Sequence, residues 1–318
     1  MKNIYLNVYK SNLANLKKAK KSVENNGVIG IPTETVYGLA GNAYSKISIK
    51  KIFKLKKRPK YNPLILHYAH LNKLKEDVSI NQSFTKLYKQ LCPGPITFIL
   101  NKKAKSKISK IVNAGKKTFA IRFPKHKVAR DLLKILNFPL AAPSANIFSK
   151  LSPTSAKDVV DEFNGKIKII LDGGSCKIGL ESTILDLTSR PTILRQGSIT
   201  QKKIEKILKT KVFLQKKISI IKSPGQLNFH YSPGLPVLMN KNLPINNGAF
   251  ITFGKNFKNK KNYFNLSQKG NLNEAANNLY KTMRKIKKLK YQSISVCTIP
   301  NIGIGQAIND RLKKASFK

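Results

Sequence analysis

The stretch Gly30-Ile31-Pro32-Thr33-Glu34-Thr35-Val36-Tyr37-Gly38-Leu39-Ala40 decides how the rest of the chain is read. An apolar, strand-like run, Val28 to Ile31, stops at Pro32, and two threonines, a glutamate and a tyrosine follow before Gly38. A strand end of this kind holds polar groups at the rim of a sheet, where open α/β folds bind their ligands. Further polar segments, each punctuated by proline or glycine, recur before residue 200.

Around that segment the periodicity alternates between helix and strand. Residues 11–26 predict a lysine-rich amphipathic helix with Leu13, Leu16, Ala19 and Val23 on one face, and 27–31 a strand. Ile47 to Lys57 predicts a basic helix that stops before Pro59, and Leu64 to Tyr68 a strand. Phe84 to Leu91 reads as helix, Pro93-Gly94-Pro95 as a break, and Ile96 to Leu100 and Thr118 to Phe123 as strands. A helix near 126–136, a strand Leu140 to Ala142 ending at Pro143, a helix near 154–163 and strands at 167–172, 182–187 and 192–195 complete a mixed α/β layout. After a short helix, Ile204 to Leu208, the segments Ser223-Pro224-Gly225 and His230-Tyr231-Ser232-Pro233-Gly234 read as a linker. The cycle then restarts: strand 249–253, a polar Asn/Lys loop, helix 273–287, strand 294–298 and helix 305–315. With 318 residues, two domains are expected, each long enough to bury a core.

Lys and Arg total 61 against 14 Asp and Glu, a net charge of +47. Such a balance attracts polyanions such as nucleotides, tRNA and acidic membranes. The excess is nearly all lysine and spread along the chain, which reads as compositional drift; it favours anionic ligands without locating a site. Arginine is scarce: Arg58, Arg122, Arg130, Arg190, Arg195, Arg284 and Arg311 are all there are. Against a lysine background an arginine marks a place that needs a planar, bidentate donor. Cys92, Cys176 and Cys297 are isolated, and His67, His70, His126 and His230 have no zinc spacing, so neither a disulfide framework nor a metal site is expected. MKNIYLNVYK lacks the apolar core of a signal peptide and no apolar run reaches bilayer length, so a cytoplasmic protein without a membrane partner is expected.

Several segments could carry chemistry. Lys54-Leu55-Lys56-Lys57-Arg58-Pro59 closes a helix with clustered charge, either a solvated face or a phosphate clamp. Asn62-Pro63-Leu64-Ile65-Leu66-His67 follows it and favours the clamp, because Asn62 and His67 bracket a rigid turn and strand. Arg122, in Ile121-Arg122-Phe123-Pro124, is flanked by apolar residues, so its head must find an acceptor or reach a cleft; a carboxylate is the natural partner. Ala141-Ala142-Pro143-Ser144-Ala145-Asn146 ends a strand in small residues that let a ligand approach the backbone, though the same residues also favour an ordinary turn. Leu151-Ser152-Pro153-Thr154 offers a hydroxyl that could equally cap a helix. Asp172-Gly173-Gly174 and Gly179-Leu180-Glu181-Ser182-Thr183-Ile184 add a glycine turn and more hydroxyls. There is no GxxxxGK[ST] loop and no nucleophile–base triad. Gly303-Ile304-Gly305 lacks the third glycine of a dinucleotide fingerprint, with Ile308 in its place, and reads as a plain turn.

Taken in order, PTETVYGL, KxRPxxNPLIxH, PGPIT, IRFP, PSAN, SPT, ESTI and the late GxGxAIxDRLxKA resemble the threonylcarbamoyl-AMP synthases, the YrdC-like family, in their long two-domain form. The resemblance covers nearly the whole chain. It implies a YrdC-like twisted mixed β-sheet with flanking helices over 1–205, a linker over the active site at 206–235, and a small Rossmann-like α/β domain at 236–318. It implies an enzyme that joins L-threonine, bicarbonate or carbon dioxide, and ATP into threonylcarbamoyl-AMP and pyrophosphate, with magnesium on the triphosphate. A downstream transferase complex would carry the threonylcarbamoyl group to tRNA, and weak RNA binding through the basic surface is a further expectation. By the family pattern Lys56 and Arg58 hold the phosphates and carry catalysis. Asn62, Thr118, Ser144, Asn146, Ser152, Arg195 and Tyr231 surround the nucleotide. Thr35, His67, Arg122, Ala142 and Ser182 hold threonine, with Arg122 on its carboxylate. The sequence departs from that pattern at Phe148-Ser149, at Gln196 after Arg195, and at Leu227 and Phe229 before the His-Tyr pair. A bare nucleic-acid-binding module and a carbamoyl-phosphate-handling domain are the alternatives.

Overall fold

A computed structural model describes residues 6–215, 221–227, 230–245 and 247–317; Phe229 lies outside them. The chain opens with β1 (Val8–Lys10), α1 (Leu13–Glu24), β2 (Ile29–Ile31), β3 (Gly38–Asn42), α2 (Lys46–Lys56) and β4 (Ile65–His67). It continues with α3 (Leu71–Asp77), α4 (Gln82–Leu91), β5 (Ile96–Asn101), β6 (Thr118–Arg122), α5 (Lys127–Lys134) and β7 (Leu140–Ala141). Then come α6 (Ala156–Phe163), β8 (Ile170–Asp172), β9 (Thr183–Asp186), β10 (Thr192–Arg195), α7 (Gln201–Leu208) and β11 (Phe213–Leu214). The eleven strands form one mixed sheet in the order β1-β8-β2-β3-β7-β4-β6-β5-β9-β10-β11.

Period-2 alternation sorts the strand residues between two layers. Ile29, Ile31, Ala40, Leu140 and Leu171 pack with Leu16, Ala19 and Val23 of α1 and with Val128, Leu132 and Leu133 of α5. Leu39, Ala141 and Ile170 face the other way, into the larger cluster built with Ile49 and Ile52 of α2 and Val159 and Phe163 of α6. Leu13, expected on the buried face of α1, is 64% exposed. It lies about 90° round the helix from the centre of the Leu16–Ala19–Val23 stripe. Side chains cap the helix starts: Asn12 accepts from the Asn15 amide and Ser45 from the Ser48 amide. Lys57 then ends α2 in the left-handed conformation, φ 49°, and turns Arg58 inward.

The smaller sheet is all parallel, in the order β12 (Val237–Leu238), β15 (Ile294–Val296), β13 (Ala249–Thr252), β14 (Tyr263–Asn265). Helices α8 (Leu272–Lys288) and α9 (Gly305–Ser316) cover it. Its core joins Ile251, Leu279, Met283 and Ile308 to Val36, Leu151 and Leu180 of the larger unit, so the apolar interior continues across the contact. The glycine pair 303/305 makes a turn, as expected: Gly303 has φ +52°, and a Cβ on Gly305 would lie 2.0 Å from the Pro300 carbonyl oxygen. Within the predicted Asn/Lys loop the structure adds β14, a three-residue, half-buried strand too short to show a period.

Candidate active site

The site grows from one row of the large sheet. His67 on β4 stands opposite Arg122 on β6, and Arg122 opposite Thr97 on β5. Each lies two residues along its strand from Ile65, Ala120 or Ile99, which cluster with Ile184 of β9. The polar row therefore continues an apolar patch at one end of the strands. Ser182, just before β9, extends the row by a 2.7 Å hydrogen bond between its Oγ and Thr97 Oγ1.

Three segments wall a narrow cavity over this row. The opening segment supplies Thr33, Val36, Tyr37 and Gly38; the end of β7 supplies Ala142, Pro143 and Ser144; the linker supplies Pro224, His230 and Tyr231. Arg58, His67, Arg122, Glu181 and Arg195 also line it. Glycine permits the close approaches. A Cβ on Gly197 would sit 2.4 Å from the Thr183 nitrogen, and one on Gly225, at φ +79°, would meet Tyr231 and Arg195 within 3 Å.

Arg58 and Arg195 both line the cavity, and among the described residues neither is paired to an acid. Arg58 Nε donates to the Asn62 carbonyl at 2.9 Å, and Nη2 donates to Asn62 Oδ1 and to the Pro63 carbonyl. Arg195 Nε donates to the Ser182 carbonyl at 3.1 Å and Nη2 to Ser182 Oγ at 3.2 Å. All these acceptors are neutral. Burial, and then the Arg195 charge, lower the Arg58 guanidinium to about 9; burial likewise lowers Arg195. Two buried cations with only neutral acceptors define a site that favours an anion.

Arg122 is different. Its Nη2 meets Glu34 Oε1 at 2.8 Å and its Nε has no hydrogen-bond partner among the described residues. Glu34 Oε2 also accepts from the Lys125 amide at 2.9 Å, tying the opening segment to the start of α5. Burial works to raise the Glu34 carboxyl, but Arg122 holds it below the ordinary range. His67 is pushed down to about 3 by burial and by Arg122, so its ring is neutral near pH 7. Nδ1 lies 3.3 Å from the Ile65 carbonyl; a bond there makes Nδ1 the donor and leaves Nε2 an acceptor.

Of the residues expected to form the site, Arg58, His67, Arg122, Ala142, Ser144, Arg195 and Tyr231 line this one cavity. Lys56 lies behind it: Nζ donates to the Ser144 and Asn146 carbonyls, both at 2.5 Å, and burial pulls the ammonium well below its ordinary value. Asn146 donates to the Ile147 and Lys150 carbonyls and leaves Oδ1 without a partner; Asn62 leaves Nδ2 so. Ser152 Oγ donates to Glu181 Oε1, and Thr35 Oγ1 lies 2.9 Å from Thr33 Oγ1. Thr118 stands at the far end of β6 from Arg122, outside the lining. Glu34, Glu181 and Arg311 have no role on sequence grounds, although Arg311 is one of only seven arginines. Arg58, Arg122, Arg195 and Arg311 are all buried. Among the described residues no three His, Cys, Asp or Glu side chains gather as a metal site, and no helix is long and apolar enough to cross a membrane.

Comparison with known proteins bears on this site. Residues 21–197 match the family described as "Telomere recombination", and residues 199–316 the one described as "Threonylcarbamoyl-AMP synthase, C-terminal domain". The threonylcarbamoyl-AMP synthase of Pyrococcus abyssi is 34% identical over 310 residues, covering 91% of this chain and 90% of that protein. That of Bacillus subtilis is 35% identical over 323 residues, covering 95% and 92%. The crystal structure of P. abyssi Sua5 complexed with L-threonine superposes with a TM-score of 0.88 at 31% identity, covering 97% of this chain and 96% of that one. E. coli YciO shares the fold alone, with a TM-score of 0.53 at 23% identity over 59% of this chain and 93% of its own.

Proposed function

The chain belongs to the threonylcarbamoyl-AMP synthase family, and we propose that it is itself an L-threonylcarbamoyladenylate synthase, a nucleotidyltransferase of the tRNA threonylcarbamoyladenosine route. Its substrates in this reading are L-threonine, bicarbonate or carbon dioxide, and ATP. The observation that carries the proposal is the pair Arg58 and Arg195, two buried guanidinium groups facing one cavity with only neutral acceptors. A polyphosphate supplies the negative charge such a cavity lacks.

The threonine amine is first carboxylated. A carbamate oxygen then attacks the α-phosphorus of ATP, the bond from that phosphorus to the bridging oxygen breaks, and pyrophosphate leaves. Charge builds on the phosphoryl oxygens and the leaving group, so catalysis is positioning plus positive electrostatics. Arg58 and Arg195 meet the phosphates. Lys56 adds its charge from behind the 144–146 backbone, and a phosphate nearby keeps its ammonium protonated. Asn62, Ser144, Asn146 and Ser152 hold the nucleotide, with Thr118 at its edge and Tyr231 above it. Arg122 takes the threonine carboxylate through its unpartnered Nε, with Thr35, His67, Ser182 and the Ala142 backbone around the amino acid. Magnesium bound to ATP would neutralise part of the triphosphate charge and would draw few ligands from the protein, since Glu34 and Glu181 are paired with arginines. Product passes to a downstream transferase in the cytoplasm, and the lysine-rich surface adds only a weak, salt-sensitive attraction for RNA.

The reading is tested by crystals grown with L-threonine and an ATP analogue whose α,β-bridge resists cleavage. The threonine carboxylate should lie on Arg122 and the phosphates between Arg58 and Arg195. Ligands bound outside this cavity would remove the assignment.

A further inference from the structure

Glu181 is the one carboxylate among the described residues that line the cavity. It stands beside Arg195, in a site read above as built for polyphosphate, where a free negative charge repels the ligand. Both its oxygens are engaged. Oε1 accepts from Ser152 Oγ at 2.5 Å, Oε2 from Arg311 Nε at 2.8 Å, and the Tyr280 hydroxyl lies 3.2 Å from each. Two of those three partners come from the small domain, Tyr280 on α8 and Arg311 on α9.

Arg311 is built into this position. It is 1% exposed and is the largest fully buried side chain described. Nη1 donates to Asp310 and Nη2 to the Gln196 carbonyl at 2.9 Å, next to Arg195. Its guanidinium lies 4.9 Å from the centre of the Tyr231 ring, against the linker residue that covers the cavity. Burial works to raise the Glu181 carboxyl, but Arg311 first and Arg195 second bring it down to about 2, so the group is ionised near pH 7.

We propose that Arg311 is a positioning residue for the nucleotide: it holds Glu181 in a closed ion pair and so keeps the positive charge of Arg195 available to the phosphates. The small domain then acts on the reaction electrostatically. Without Arg311 the nearest cation left for Glu181 is Arg195, and that pairing removes one of the two guanidinium groups from the anion site. The inference rests on the nucleotide reading of the cavity and concerns affinity for the nucleotide, which separates it from the identity of the amino-acid substrate.

The test measures the affinity of the full-length chain for the uncleavable ATP analogue by titration calorimetry. Arg311→Met should weaken it about tenfold or more, while the KM for threonine moves less than roughly twofold. Arg311→Lys, which keeps the charge and loses the fork, should fall between. Adding Glu181→Gln to Arg311→Met removes the stray charge and still accepts from Ser152 and Tyr280; affinity should return to within about threefold of the unaltered chain. A merely structural role predicts instead that the double variant is as weak as Arg311→Met or weaker, and that result overturns the proposal, as does unchanged affinity in Arg311→Met. If Arg311→Met does not fold, Arg311→Lys with and without Glu181→Gln makes the same comparison, with the same two outcomes. A chain that binds the analogue but releases no pyrophosphate with threonine ends the synthase reading and leaves this inference standing. A chain with no affinity for the analogue ends both.

Discussion

Arg58→Ala should lower threonine-dependent pyrophosphate release by about ten- to a hundredfold, the equivalent of losing one charge-assisted contact of roughly 1.5–3 kcal/mol. The effect has two physical sources. The phosphates lose a buried cation that no acidic side chain neutralises in the protein. The Asn62–Pro63 turn also loses the donor that ties its carbonyls together, so the start of β4 and the row that His67 begins become less fixed. The KM for ATP should rise together with the fall in kcat. Arg58→Lys should recover part of the loss, because charge returns without the planar fork. Pyrophosphate release unchanged in Arg58→Ala would exclude Arg58 from the reaction.

Arg122→Ala should have the largest effect on stability. Its partner Glu34 is 6% exposed, and removing one member of a buried pair strands the other, at a cost of about 3–5 kcal/mol. For a chain of this size that is on the order of 10 °C in melting temperature. The sign with pH follows from the lowered Glu34 carboxyl. The native pair contributes stability that is present above the ordinary value of 4.5 and is lost as pH falls through the depressed folded value. In Arg122→Ala the stranded carboxyl rises above the ordinary value instead, so protonation relieves the variant as pH falls toward 4.5; below 4.5 the parent loses its pair, and the gap between variant and parent should narrow through both ranges. Arg122→Ala/Glu34→Gln should restore much of the melting temperature and still require more threonine for half-saturation. Unchanged threonine saturation in that stabilised double variant would argue against Arg122 as the carboxylate partner.

Much of this was legible before any coordinates, for identifiable reasons. Proline and glycine stops marked strand ends, and strand ends are where the polar row stands. Rarity marked the arginines, because a lysine-rich chain has little other reason to use a planar fork. The apolar flanks of Arg122 imply an acceptor or a cleft for its head, and the structure places the Glu34 carboxylate on it. The glutamate was on the page, but pairing it with a residue 88 positions away required the sheet order. Glu181 and Arg311 are 130 positions apart, one in the loop before β9 and the other on α9 of the small domain, so no local pattern joins them. Strand β3 (Gly38–Asn42) has no counterpart among the strands expected from the sequence, where the polar segment runs on to Ala40. A Cβ on Gly41 would meet Ser48 Oγ at 2.4 Å, so that glycine serves the packing of α2 against the sheet. The resemblance puts Lys56 on the phosphates; in the structure its ammonium donates to the Ser144 and Asn146 carbonyls, outside the cavity lining. A lysine tip has that much freedom, and spacing along the chain does not fix where it ends.

The most direct test of the account is a substrate panel. The purified chain is incubated with ATP, magnesium and bicarbonate and with each amino acid in turn, and pyrophosphate is measured. The account predicts release that depends on threonine and on bicarbonate together, with little from serine or valine. Release that is the same with every amino acid, or that proceeds without bicarbonate, would contradict it.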